Sequence, residues 1–449
     1  MKAEQTMKET KKNKAAMKKA TKKVSGPKPI KREYPVEGKM YRGVLGSIIG
    51  DVAGSSREGY KSNTYRTDFK MFVSNSTFTD DTVLTVALMD WLCHKDTLPL
   101  KDALLKWGRK FPNASYGRRF SAIIKSGDFG EAIATTNGGA MRVNPVAVSA
   151  KSLKEAIALA KESAAPSHIG EGSKGAQAVA AAAYIAKEGI AKGKSVAEIK
   201  AEIKSTIEKE FGYNLDTTVE ECREVTRRNA AQVTSRTQRT EFYHRMCEAD
   251  LTCPEAIIAV LNANSYEETV RIAISMGGDS DTLGAMAGGI ASQLFGTPEA
   301  MVKACLLYLP AEMIDVINEF EGSKREPTGV TPPRIDRWSE DEYVVYGDAP
   351  EGQEGEAGKA ETFPSRYNSN PRKGYPILTV GQGLEDIRKS VKAFIAEAKK
   401  HPERRYHVRK VGYNKAGYTV GQIAPLFADA VALRNVLLPK EMLDELKRR

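Results

Sequence analysis

Apolar residues recur with the spacing of an α-helix over most of residues 41–320, and the alternation typical of strands is weak there. The stretch from Ala178 to Tyr184 is rich in alanine, whose small side chain lets neighbouring helices approach closely. These patterns predict a mainly α fold, with a compact all-α domain over residues 39–320. The predicted helices cover residues 45–52, 83–92, 153–160, 176–190, 254–261, 269–275, 283–295 and 300–308.

The pattern changes twice after residue 320. Residues 321–376 are rich in Pro, Gly and Glu, which is typical of a flexible linker. Apolar patterns return at residue 377 and predict strands over 377–380, 406–411 and 436–438, with helices over 384–398 and 421–433. We therefore expect a small α/β module over residues 377–449, marginal in size for folding alone.

Positive charge is concentrated at the beginning of the chain. Residues 1–32 hold eleven Lys and one Arg against two Glu, a net +10 of the chain's +11. Low hydrophobicity with high net charge predicts a disordered, Lys-rich tail over residues 1–38. Such a tail could contact nucleic acid or another anionic surface. A solvated extension is the simpler interpretation, so nucleic acid is not an expected partner.

Cysteine usage and hydropathy indicate the compartment. The beginning of the chain lacks the apolar segment of a signal peptide, and no apolar run approaches the ~18 residues of a membrane helix. The five Cys are odd in number and scattered, so disulfides are not expected. We therefore expect a cytoplasmic protein with no membrane partner. The oligomeric state stays open.

Two acidic clusters, each just before an apolar helical run, are the most informative chemical feature. Either cluster alone is typical of helix N-capping by Thr or Asp. Carboxylates are rarely buried without a partner, however, and the same residue types occur in both clusters. Carboxylate and hydroxyl oxygens are ligands that hard divalent cations prefer. The clusters are Thr79-Asp80-Asp81-Thr82 and Asp279-Ser280-Asp281-Thr282.

Three glycine-containing segments accompany the acidic clusters. Gly46, Gly50 and Gly54 share one helix face, for which close packing is the simplest interpretation. The segment from Asn137 to Arg142 could present backbone N–H groups to an anion, or form an ordinary turn. The polar loop 167–175 opens the alanine-rich helix, a position suited to phosphate but also compatible with a flexible loop.

Together, these segments resemble the ADP-ribosylglycohydrolase family, which includes the dinitrogenase reductase-activating glycohydrolases. The resemblance covers about residues 41–310, and the order of the motifs makes it specific. The motifs are Gly50-Asp51 with Gly54 and Glu58, Phe78-Thr79-Asp80-Asp81-Thr82, Asn137-Gly138-Gly139-Ala140-Met141-Arg142, Ser167-His168 with Lys174-Gly175-Ala176, and Gly277-Gly278-Asp279-Ser280-Asp281-Thr282.

The resemblance implies a hydrolase that cleaves the glycosidic bond between ADP-ribose and a protein side chain or small acceptor. It implies two ions of Mg²⁺ or Mn²⁺, which would orient the distal ribose and activate water. Glu58 matches the family's mobile glutamate beside the scissile bond, and Asp80 and Asp281 are the other expected catalytic residues. The implied metal ligands are Thr79, Asp80, Asp81, Asp279, Asp281 and Thr282. The implied substrate-binding residues are Asn137, Gly138, Gly139, Ser167, His168 and Gly278.

Three departures from the family pattern leave the leaving group open. Thr136 stands where the family usually has Gly, the loop after His168 is short, and Arg118 and Arg119 add positive charge. A non-catalytic ADP-ribose-binding module is the main alternative, and a two-metal phosphoesterase is a more distant one. Residues 377–445 resemble part of an uncharacterised domain of phage and bacterial proteins, from which we infer no activity.

Overall fold

Helices account for almost all regular structure between residues 45 and 321. The computed structural model describes residues 33–34, 38–332, 339, 341–347, 361–365, 368–413 and 416–448. The predicted disordered tail, apart from residues 33, 34 and 38, lies outside these residues. The helices in this part are α1 (Leu45–Gly54), α2 (Asp80–Cys93), α3 (Leu100–Lys110), α4 (Arg118–Ser126), α5 (Asn144–Ser149), α6 (Leu153–Ala164), α7 (Gly170–Ala191), α8 (Val196–Phe211), α9 (Val219–Ala231), α10 (Arg236–Met246), α11 (Ala249–Leu261), α12 (Tyr266–Met276), α13 (Ser280–Phe295), α14 (Glu299–Leu306) and α15 (Ala311–Glu321).

The mainly α prediction is confirmed, and every helix predicted in this region overlaps a helix of the structure. The alanine-rich run lies in the middle of α7, where its residues are buried. Two residues of strand β1 (Met40–Tyr41) pair antiparallel with β2 (Thr297–Pro298) beside the helices. Several helices were not predicted, among them α9 and α10, whose exposed surfaces are too polar to show a clear apolar period.

Helices α1 and α13 pack with their main chains almost in contact. A β-carbon at Gly50 would collide with the main chain at Gly284, and one at Gly284 would lie 2.5 Å from the Gly50 oxygen. Gly46 faces Gly288 in the same way one turn further along. The packing role expected for the Gly46, Gly50 and Gly54 face is therefore confirmed. This close approach brings the residues beside these glycines to the same place in the core.

The C-terminal part forms a five-stranded sheet of order β4-β5-β3-β6-β7. Strand β3 lies between β5 and β6 and runs parallel to both. Helix α16 and the short helices α17 and α18 complete a small α/β module with its own apolar core. The elements are β3 (Glu342–Gly347), β4 (Glu361–Ser365), β5 (Asn368–Ile377), α16 (Leu384–Lys400), β6 (Arg405–Val408), α17 (Val420–Ile423), β7 (Val436–Leu437) and α18 (Lys440–Lys447).

The boundary of this module differs from the predicted one. Strands β3, β4 and β5 lie wholly or almost wholly within residues 321–376, which were predicted as a linker, so the sheet begins at Glu342 rather than at residue 377. Strand β3 is difficult to predict because the strand that it pairs with is distant in the sequence. Glu342 pairs with Arg405 in the neighbouring strand, and the proline- and glycine-rich composition around β3 hides a strand stabilised by such a distant partner.

Ion pairs join the module to helix α15 of the helical region. Arg405 of β6 binds Glu312 of α15, and it also contacts the buried Glu342 at 3.1 Å. Arg434 adds an exposed pair with Asp315 at 2.8 Å. Contacts throughout Glu33–Arg449 group these residues into one compact unit. Among the helices that the structure describes, none has the length and apolar character required to span a membrane.

Candidate functional site

The two acidic clusters lie at the first turns of α2 and α13. Thr79 is the N-cap of α2, and its hydroxyl accepts a hydrogen bond from the Asp81 N–H at 3.2 Å. Asp279 occupies the N-cap position of α13. Gly277 and Gly278 precede it with φ angles of +82° and +73°, which side-chain-bearing residues rarely adopt. These glycines turn the chain so that α13 begins beside α2.

Five carboxylates from three segments of the chain converge here. Asp51, Asp81 and Asp281 are buried, and each offers a carboxylate oxygen within 4.8 Å of the others. Glu58, Asp279 and Asp281 form a second group with the same spacing. Asp281 belongs to both groups, so the two acidic clusters predicted from sequence meet in the structure.

Asp51 was not predicted as a site residue, although it lies in the first motif. Its carboxylate accepts hydrogen bonds from the Thr79 N–H at 2.9 Å and the Thr79 hydroxyl at 2.7 Å. It also accepts from the N–H of Thr82 at 3.2 Å and from the Thr82 hydroxyl. Asp51 thus fixes the first turn of α2 from α1. The sequence signal was its position next to Gly50, on the helix that packs closest to α13.

The cluster concentrates acidic groups in a buried position. Burial raises the pKa of Asp81 well above its usual range, and the Asp51, Asp80 and Asp279 carboxylates raise it further. Burial also raises the pKa of Asp281, with Glu58 the strongest charged neighbour. The Asp81 Oδ1 atom is buried and has no hydrogen-bond partner among the described residues. Buried acids with acidic neighbours and an unused oxygen fit a divalent ion.

The remaining predicted ligands take different positions around the cluster. The Thr282 hydroxyl donates to Asp81 Oδ2 at 3.3 Å, and the Thr79 hydroxyl lies 3.2 Å from the same oxygen. Asp80 is half-buried and belongs to neither group of converging carboxylates. Its charge acts both on Asp81 and on Arg142, a completely buried guanidinium. Asp80 therefore lies at the edge of the cluster.

The segment 137–139 joins the acidic cluster to the loop that follows α6. Asn137 donates from Nδ2 to Asp279 Oδ2 at 2.7 Å, which fixes this carboxylate. A β-carbon at Gly138 would lie 3.0 Å from Nε2 of His168, and one at Gly139 would lie 3.3 Å from the Gly172 oxygen. Glycine at both positions leaves room for His168 beside the main chain. The structure therefore brings the predicted substrate-binding segments together.

Ser167 and His168 form a buried polar pair beside Arg142. Nδ1 of His168 lies 2.8 Å from the Ser167 hydroxyl, which also accepts a hydrogen bond from Arg142 Nη2 at 3.2 Å. Burial lowers the pKa of His168 to about 3, and the charges of Arg142 and Arg119 act in the same direction. His168 is therefore a neutral imidazole at physiological pH. A neutral ring can both donate and accept a hydrogen bond.

Helix α10 closes the site from a third direction, which the sequence did not indicate. Met246 packs against Gly278, where a β-carbon would lie 2.9 Å from its sulfur. The Cys247 carbonyl accepts a hydrogen bond from the Asn137 N–H at 2.8 Å. Burial raises the pKa of the Cys247 thiol well above its usual range, and the neighbouring Asp279 raises it further. Cys247 is therefore a protonated thiol beside a predicted metal ligand.

Comparison with known proteins agrees with this geometry. The family model described as ADP-ribosylglycohydrolase matches residues 33–325. ADP-ribosylhydrolase ARH3 of Mus musculus is 25% identical over 269 residues, which cover 51% of this chain and 73% of the relative. ADP-ribosylhydrolase ARH3 of Homo sapiens is 23% identical over 336 residues, which cover 61% of this chain and 91% of the relative.

A solved structure named ADP-ribosylglycohydrolase-related protein complex aligns with 62% of this chain and 94% of its own, at 21% identity and a TM-score of 0.42. The family model and the two relatives named ADP-ribosylhydrolase ARH3 support a glycosidic hydrolase. The chain belongs to the ADP-ribosylglycohydrolase family, whose model covers more than half of its length. The resemblance stated from the sequence motifs is therefore confirmed.

Proposed function

We propose that this chain hydrolyses the glycosidic bond between C1 of the distal ribose of ADP-ribose and an acceptor group, with two Mg²⁺ or Mn²⁺ ions. In this reaction the bond from C1 to the acceptor breaks, the oxygen of water bonds to C1, and the proton of water passes to the acceptor. The relatives named as ADP-ribosylhydrolases support this reaction class.

The convergence of Asp51, Asp81 and Asp281 in the core is the observation that carries the proposal. Their oxygens lie within 4.8 Å of one another, and the strongest charged neighbours of Asp81 and Asp281 are acidic. Several buried negative charges at this distance repel one another unless cations or protons neutralise them. A second group built on Asp279 and Glu58 shares Asp281, and this arrangement supports a two-ion centre.

The ions would be held by Thr79, Asp80, Asp81, Asp279, Asp281 and Thr282. When bound, divalent ions supply Lewis-acid stabilisation of substrate oxygens and lower the pKa of coordinated water. Asp51 holds the hydroxyls of Thr79 and Thr82, so it orients the first turn of α2 rather than the substrate. Asn137 orients Asp279 through a hydrogen bond of 2.7 Å.

Glu58 is the residue of this site best placed to handle the proton. It is partly exposed, and one of its oxygens lies within 4.8 Å of oxygens of Asp279 and Asp281. Cleavage develops positive charge on the ribose, which a nearby carboxylate stabilises, and the same carboxylate can accept a proton from water. His168, neutral and buried beside Gly138, offers its Nε2 to the diphosphate or distal ribose.

The decisive experiment measures ADP-ribose release from ADP-ribosylated serine peptides, arginine and acetyl compounds, with Mg²⁺ or with excess chelator. We expect turnover only with the ion. Asp281→Asn should reduce kcat by at least about a hundredfold, because it removes a ligand shared by both carboxylate groups. Asp315→Asn, at an exposed position on α15, is the matched control. Full turnover in chelator contradicts the proposal.

Binding without turnover would support the alternative of a non-catalytic ADP-ribose-binding module. Calorimetry with ADP-ribose and Mg²⁺ distinguishes the two functions, because a binding module retains affinity while every substrate stays intact. Glu58→Gln is the informative variant, since it removes the proton acceptor and keeps the size of the side chain. Loss of turnover with retained ADP-ribose binding assigns Glu58 to the chemical step.

We also propose a reducing, cytoplasmic location for this enzyme. All five cysteines carry free thiols: Cys93, Cys222, Cys247, Cys253 and Cys305. Free thiols persist in reducing compartments. Fractionation of the native cells, with the protein detected by antibody, tests this location, and recovery in a secreted fraction would contradict it.

A further inference from the structure

Tyr243 of α10 lies beside Glu58. Its hydroxyl is so close to the main chain at Gly59 that a β-carbon there would collide with it. Partial burial raises the pKa of the Tyr243 phenol, and the Glu58 carboxylate raises it further. Tyr243 nevertheless remains 38% exposed. One face of the site therefore ends in an accessible aromatic ring.

The aromatic character extends beyond Tyr243. Phe242 packs edge-to-face against Tyr243 at 5.7 Å and against Tyr60 at 6.1 Å, so a buried ring supports two outer rings. Tyr60 is partly exposed, and the ammonium group of Lys61 lies 5.4 Å from the centre of its ring. Packing against Phe242 therefore holds the rings of Tyr60 and Tyr243 in place. Rigid, accessible rings are suited to stacking on a planar group.

Positive charges accompany these rings. Arg236 and Arg239 precede Tyr243 by seven and four residues, so the three side chains lie along one face of α10. Within the described part of the chain, no carboxylate lies at ion-pairing distance from Arg236, Arg239 or Lys61. Arg227 and Arg228 of the preceding helix, in contrast, are paired with Glu220 and Glu224. The cations near Tyr243 are therefore available to an external anion.

We propose that the leaving group of this enzyme is nucleic acid, held by Tyr60, Tyr243, Lys61, Arg236 and Arg239 on the Glu58 side of the site. This inference rests on the proposed hydrolase function and names its acceptor. Unpaired cations repel the guanidinium of an arginine acceptor and attract phosphate, while exposed rings stack on bases. The +10 charge of residues 1–32 adds long-range attraction for a polyanion. The inference departs from the sequence-based expectation, in which nucleic acid was possible through the basic tail but not an expected partner.

The test compares two substrates on the full-length chain with Mg²⁺: a single-stranded DNA oligonucleotide bearing ADP-ribose on its terminal phosphate, and an ADP-ribosyl-serine peptide. We expect kcat/KM at least about tenfold higher for the oligonucleotide. Tyr243→Ala should reduce the ratio of the two kcat/KM values roughly tenfold, the typical loss for one stacking contact. Arg239→Gln should reduce the salt dependence of oligonucleotide turnover by about one phosphate contact.

Arg228→Gln is the matched control, because Arg228 is also exposed but is paired with Glu224. Equal loss on both substrates in Tyr243→Ala would overturn the inference, since the ring would then act only on the common ADP-ribose. Equal preference for ADP-ribose on a Glu-rich peptide would overturn it in favour of an acidic protein. Thermal unfolding of each variant confirms that the fold is intact.

Fluorescence anisotropy of an unmodified oligonucleotide separates this inference from the proposed function. If no substrate is hydrolysed but the oligonucleotide still binds, with weaker binding in Arg239→Gln, the reaction is wrong and the nucleic-acid site stands. If the serine peptide is hydrolysed and the oligonucleotide neither binds nor reacts, the reaction stands and the acceptor is wrong.

Discussion

The contact between α1 and α13 gives the sharpest prediction about the fold, which Gly50→Ala tests. The added methyl group would collide with the Gly284 carbonyl and lie 2.8 Å from the Ala285 nitrogen. These atoms are main chain within a helix, so they cannot rotate away as a side chain would. Because main-chain atoms cannot move aside, we expect overpacking to cost about 3 kcal/mol, the upper end of its usual range, while alanine regains about 1 kcal/mol of helix propensity. We expect a net loss of about 2 kcal/mol.

Urea denaturation followed by circular dichroism measures this loss. Gly108→Ala in α3 is the matched control, because the nearest contacts of its β-carbon would be with side chains alone, first with Ile124 at 2.9 Å. Since that side chain can adjust, we expect Gly108→Ala to change stability by less than about 1 kcal/mol. Gly50→Ala should also weaken Mg²⁺ binding, because Asp51 and Asp281 are carried by the two helices that separate. Unchanged stability and metal affinity would refute the reasoning.

Three further predictions concern buried charges. Burial raises the pKa of Glu255 to about 8, so the folded state loses stability as the pH rises from ~4.5 to 8. In urea titrations at pH 5 and pH 7.5, Glu255→Gln should remove about 3 kcal/mol of this loss. The pKa of His168 is lowered to about 3, so the free energy of unfolding decreases as the pH falls below ~6.5. At pH 5, His168→Gln should recover about 2 kcal/mol of this free energy. Arg405→Met leaves Glu342 buried without its arginine and should cost about 3–5 kcal/mol by calorimetry, whereas the exposed Arg434→Ala should cost less than about 1 kcal/mol.

The helical domain could be predicted from sequence because many of its helices show an apolar period. The starts of α2 and α13 could also be predicted, since Thr79 and Asp279 are cap residues directly before apolar runs. That these two starts would meet followed from family resemblance and from the repeated ligand chemistry. Their helical period alone gives no distance between two segments so far apart in the chain.

Features that depend on distant partners could not be predicted. The hydrogen bonds of Asp51 to Thr79 and Thr82 are long-range, and the position of Asp51 beside Gly50 indicates a closely packed helix but not these partners. Strand β3 was missed for the same reason, because Glu342 pairs with Arg405. Tyr243 lies on a helix with a mostly polar surface, so its position beside Glu58 became visible only in three dimensions.

The central claim is that the first turns of α2 and α13 share divalent ions, and anomalous X-ray scattering from crystals grown with Mn²⁺ tests it most directly. The account predicts Mn²⁺ peaks within coordination distance of Asp81 and Asp281, with a peak lost in Asp281→Asn crystals. Peaks only at surface carboxylates, with the oxygens of Asp81 and Asp281 bound to protein groups alone, would contradict the account.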